Sequence, residues 1–97
     1  MSWNDELSKR STRLRDALKD DQEFMNQESA LPLWVKNLMA MQLDSVANHP
    51  GGSRWYASQA LAAGATEEQL VEAIELLYKF AGRPAAATAA AAFDAGG

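Results

Sequence analysis

An all-α fold is predicted by three features of this 97-residue chain. Apolar residues recur every three to four positions, helix stops fall at Asn48, Gly64 and Gly82, and no useful length alternates as a strand would. Trp3, Leu7, Leu14, Leu18 and Met25 form a thin apolar stripe on a charged segment. They predict an amphipathic helix from about Trp3 to Asp20 that docks on its own core or on a neighbouring subunit. The stripe falters at Arg10 and Ser11. The polar face mixes both charge signs, which suits a packing helix better than one lying on a membrane. Asp21 to Ala30 is polar and reads as a connector.

Pro32 suits the first turn of a second helix, where its missing N–H is no loss. Leu33, Trp34, Val35, Leu38, Met39, Met41, Leu43 and Val46 cover more than one face, so this helix should be largely buried and end near Asn48. His49-Pro50-Gly51-Gly52 reads as a turn. Ser53 is the expected N-cap of a third helix, running to about Ala63, with Gly64 as its C-terminal glycine. Thr66-Glu67-Glu68-Gln69 is a capping box. It opens a fourth helix striped by Leu70, Val71, Ile74, Leu77, Tyr78 and Ala81 and closed by Gly82. Pro84 opens a fifth, from Ala85 to about Phe93, with seven alanines interrupted by Thr88. Alanine is the best helix former. Each alanine also buries little area, at about 25 cal/mol per Å², so such a helix holds its place by being sandwiched between others.

Bulk composition narrows the function classes. The chain is 47% hydrophobic and 23% charged, ordinary for a globular domain. At this length much surface stays exposed, so a partner subunit would add stability. The net charge is −4 and no basic run occurs, which argues against nucleic acid as a partner. No long uncharged apolar run is present, so no membrane span is expected. The polar, acidic start Met1-Ser2-Trp3-Asn4-Asp5-Glu6 does not read as a signal peptide. Cysteine is absent, which removes disulfides, thiol chemistry and cysteine–zinc sites and fits a cytoplasmic protein. A single histidine, His49, makes a self-contained metal site improbable, and no cofactor is implied. More than half of the charges fall in residues 1–28. The chain therefore divides into a charged helix with its connector, 1–28, and a compact helical domain, 29–97.

The run Ala62-Ala63-Gly64-Ala65-Thr66-Glu67-Glu68-Gln69-Leu70-Val71-Glu72-Ala73, followed by Ala81-Gly82-Arg83-Pro84-Ala85-Ala86, resembles two blocks of the carboxymuconolactone decarboxylase / alkylhydroperoxidase-like family. Leu31-Pro32-Leu33 and Lys36-Asn37-Leu38 are loosely similar to that family's opening helix. The likeness covers about residues 29–94. It implies a bundle of about five helices assembled as a homo-oligomer, a dimer, trimer or hexamer. It also implies where chemistry would sit. Peroxidase members carry C-x-x-C-x-x-x-H before the glycine segment, and decarboxylase-like members carry Glu-x-x-x-His there. The matching positions in this chain are His49, Gly52 and Tyr56, so neither set of reactive groups survives.

Replacement groups lie near that turn. Tyr56 is able to donate a hydrogen bond or a proton, and His49 offers an imidazole near it in sequence. Arg54 is able to hold a carboxylate, with Ser53 and Trp55 beside it as ligand contacts. The plainer readings are a solvent-facing turn histidine, a surface arginine, and aromatics that pack in a core or interface. Glu68, Glu72 and Glu75 share one helical face and read as solvated. Arg83 reads as a helix-terminal charge, and Met1, Met25, Met39 and Met41 as fillers of irregular space. Two functions are therefore expected. The first is a catalytically silent homo-oligomer that binds a ligand or partner. The alternative is a decarboxylase-like lyase or isomerase acting on a small carboxylated or lactone metabolite.

Overall fold

The computed structural model describes residues 2–94, and every element among them is helical. In chain order these are α1 (Trp3–Arg10), α2 (Thr12–Met25), α3 (Leu33–Val46), α4 (Pro50–Ala62), α5 (Glu67–Ala81) and α6 (Arg83–Ala89), closed by a 3-10 turn, Ala90–Phe93. The expected single N-terminal helix is two. Ser11 leaves helical geometry, with φ −144° and ψ 118°, and its hydroxyl accepts from the Leu14 amide at 3.1 Å. A serine that caps a new helix competes with continuation of the old one, which is why the stripe falters there. The second piece also runs on to Met25, so half of the expected connector is helical.

The expected stops at Asn48 and Gly64 are both left-handed corners of one design. Asn48 has φ 60°, and the amides of Asn48 and His49 donate to the carbonyls of Ser45 and Asp44. Gly64 has φ 114°, with the amides of Gly64 and Ala65 donating to Leu61 and Ala60. Each pair of crossed bonds satisfies two carbonyls that a helix end leaves bare. The capping box is formed on both sides: the Gln69 amide donates to Thr66 Oγ1 at 3.0 Å, and the Thr66 amide to Gln69 Oε1 at 2.9 Å. Gly82, at φ 86° and ψ −174°, occupies backbone space open to essentially no other residue and joins α5 directly to α6.

The start of α4 departs from expectation. Pro50, Gly51 and Gly52 belong to the helix, with Pro50 in its first turn, and Ser53 is a buried interior residue rather than a cap. The Ser53 hydroxyl lies 2.8 Å from that of Ser45, joining α4 to α3. Proline at a first helical position needs no N–H partner, so a Pro-Gly-Gly run can start a helix as readily as break one.

The core lies where α3, α4, α5 and α6 meet: Leu38, Met41, Ala57, Ala60, Ala65, Leu70, Leu77, Ala85, Ala89 and Ala92, with Trp34, Tyr56, Ala73 and Ile74 against it. The alanine segment is sandwiched as its composition predicts, packing on α3, α4 and α5. Thr88 anchors it by donating toward Asn48 Oδ1, 3.1 Å away, at the α3–α4 corner. Gln42 Nε2 donates to the Ala73 carbonyl at 2.9 Å and fastens α3 to α5.

The two N-terminal helices form an arm. Among the described residues α1 packs only on α2, and α2 meets the body only through α3. That junction is held by Lys36, a buried side chain of α3. Its ammonium donates to the carbonyls of Phe24 at 2.8 Å and Gln27 at 2.6 Å and lies 4.1 Å from the centre of the Phe24 ring. Bonds from a charged donor are each stronger than neutral ones. Lys36→Met keeps the stem and deletes both bonds, and is expected to cost about 2 kcal/mol at the junction. Hydrogen exchange checks it: amides of α1 and α2 should exchange faster while those of α4 and α5 keep their protection.

Candidate functional site

The α3–α4 corner gathers the titratable groups that sequence reasoning singled out, together with one it missed. His49, Gly52 and Tyr56 follow one another at three- and four-residue spacing and so share a face of α4. Asp44, in the last turn of α3, reaches across this face. Its Oδ2 lies 3.6 Å from His49 Nδ1. A side chain at position 52 would run into the Asp44 carboxyl group and the His49 ring, so glycine there is what lets both groups settle over the first turn of α4. A carboxylate at a helix N-terminus is favoured by the dipole of the backbone.

Tyr56 stands one turn further on, half-buried against the core. Its phenol is held above the ordinary value of 10.0, first by burial, then by the charges of Asp44 and Asp21. At neutral pH Tyr56 is therefore a proton donor and no base. The sign for stability follows. The folded state keeps the phenol's proton more tightly than the unfolded state, so this contribution is present below pH 10 and is lost as pH rises through the folded pKa. An ultraviolet titration of phenolate should show a tyrosine ionising above the ordinary range in wild type, and that component should vanish in Tyr56→Phe.

The other sequence candidates are not part of this cluster. Arg54 faces away and pairs with Asp94 at 3.9 Å, both largely exposed. Asp94 borders a shallow depression of about 530 Å³ that Asn48, Pro50, Pro84 and Thr88 also line. Trp55 is exposed, and Ser53 is fully buried with its hydroxyl turned to Ser45 and to the His49 carbonyl. Arg54, Ser53 and Trp55 thus point in three directions from neighbouring positions. Among the described residues, no group of three or more His, Asp or Glu side chains is placed to hold a metal ion, and no helix is long and apolar enough to cross a membrane.

Asp44 gave no signal in the sequence. It sits among the apolar positions of α3, and only the left-handed turn at Asn48 brings it to His49. The cluster sets a carboxylate against an imidazole, with the Tyr56 phenol one helical turn on and within the field of Asp44. These groups suffice for hydrogen-bonding a polar ligand, or for moving a proton. No protein-family model, curated protein or solved structure matches this chain.

Proposed function

We propose that this chain is a self-assembling helical subunit that binds a ligand or partner and carries no catalysis of its own, a carboxymuconolactone decarboxylase-like protein without that family's thiol and Glu/His groups. One observation carries the assembly: among the described residues the core buries four large apolar side chains, Leu38, Met41, Leu70 and Leu77, beside six alanines, while fifteen large apolar residues are exposed. Phe80 is 80% exposed and Leu43 68%. Scattered exposed apolar residues are normal, but a domain that exposes more of them than it buries has faces to cover. Support for the kinship is the pair of sequence blocks around Gly64 and Gly82, where α4 meets α5 and α5 meets α6.

Light scattering is expected to give at least twice the 10.5 kDa chain mass. A monomer at high micromolar concentration would overturn the assembly. The silent reading expects Tyr56→Phe and His49→Ala to alter stability alone. The second reading, a lyase or isomerase of small carboxylated or lactone compounds, is favoured by the convergence of Asp44, His49 and Tyr56 on one corner. A turnover on such compounds that collapses in either variant would establish it over the first.

A further inference from the structure

Most of α5 faces outward, and of its residues only Leu70 and Leu77 are buried. Glu68, Glu72, Glu75 and Lys79 follow at spacings of four, three and four residues, so they form one exposed row along its outer face. Arg83, the first residue of α6, is exposed four residues further on. Among the described residues none of these five charges has an ion pair or a side-chain hydrogen bond. The row is acidic in its first half and basic in its second. Exposed apolar residues flank it. On the α6 side Val71 and Tyr78 line a groove of about 350 Å³ with Ile74, Ala86 and Phe93. On the other side stand Leu76, 53% exposed, and Phe80.

A second α5 running the opposite way meets this row as its complement. In the register that sets Glu72 level with Lys79 of the second copy, Glu68 is level with Arg83 of that copy, because both pairings share one midpoint, between Glu75 and Leu76. A two-fold axis at the midpoint repeats each pairing. A slip of one turn in either direction halves the opposite-charge pairings, and a parallel second helix sets acid on acid. The third acid, Glu75, sits at the midpoint with Lys79 one turn along its own helix. We infer that two copies dock antiparallel through α5 about this axis. The contact rests on the self-assembly proposed above and gives it a defined surface. The axis turns each apolar flank toward its own counterpart, with Leu76 beside Leu76 of the second copy. Exposed ion pairs add little adhesion, so the apolar flanks supply it while the charges set direction and register. One patch pairs with itself, so this contact joins copies two by two.

The test reverses charge on the full-length chain and reads mass by sedimentation. Glu68→Lys with Glu72→Lys makes the row basic at both ends, and Lys79→Glu with Arg83→Glu makes it acidic throughout. All four residues are exposed, so folding should survive, and circular dichroism checks that it does. Each double variant alone is expected to sediment at half the wild-type mass at equal concentration. An equal mixture of the two should return the full mass, because each row then meets its opposite. A wild-type oligomer whose mass neither variant changes would overturn the α5 contact and leave self-assembly standing. Variants that dissociate but fail to reassemble when mixed would overturn the antiparallel pairing, as would a wild-type trimer, which a two-fold axis cannot build. A wild type that sediments as a monomer would remove both the contact and the assembly.

Discussion

Met41→Ala is expected to destabilise the chain by about 3 kcal/mol, read as a shift of the urea midpoint at unchanged slope. Met41 lies in the middle of α3, is fully buried, and is the largest side chain so enclosed. Truncation removes apolar contact and leaves a void that the neighbours can fill only by moving. The core it belongs to includes Ala57, Ala60 and Ala89, whose methyl groups have no rotamers to reach inward. Whole domains are stable by roughly 5–15 kcal/mol, so the loss is a large share of what an alanine-rich core of this size can hold. A cost under about 1 kcal/mol would mean that the α3–α4–α6 junction is looser than its burial indicates.

Ala89→Leu should be nearly as damaging, by the opposite route. Ala89 is fully buried where α6 crosses α3 and α4. Three added carbons have no space there, and α6 would have to lift from the body. Overpacking of this kind costs about 3 kcal/mol. The nearby Ala87→Leu is the control, because Ala87 is exposed and leucine is nearly as good a helix former. Thermal melts should therefore show a large drop for position 89 and little change for position 87. Equal effects at the two positions would show that the segment contributes as a helix and makes no close contact.

The pair of substitutions marks how far the sequence could be read. Helix stops at Asn48, Gly64 and Gly82 and the Thr66–Gln69 box were legible because each is a local event, set by one residue's φ or one side chain's reach. That the alanine segment must be sandwiched was legible from its composition. Which alanines face inward was not, because seven near-identical residues carry no stripe. The split at Ser11 was visible only as a faltering pattern, and the helical state of Pro50-Gly51-Gly52 was hidden because proline and glycine serve starts and stops alike.

The functional corner was legible by half. His49 and Tyr56 were found from their spacing before the glycine block. The charges of Asp44 and Asp21 act on Tyr56 from other helices, α3 and α2, and no spacing rule connects them to it. Gly52 read as a vacancy in a motif. In the folded chain it is the clearance that lets the Asp44 carboxyl group lie beside His49.

The alanine-dominated interior has a thermal consequence. Heat-capacity change on unfolding grows with the apolar area newly wetted, and methyl-sized side chains wet little. The free energy of a single copy should therefore bend gently between cold and heat, its maximum low and broad. Much of the apolar surface belonging to a chain of this length stays wet in the single folded copy and so adds nothing to that curvature.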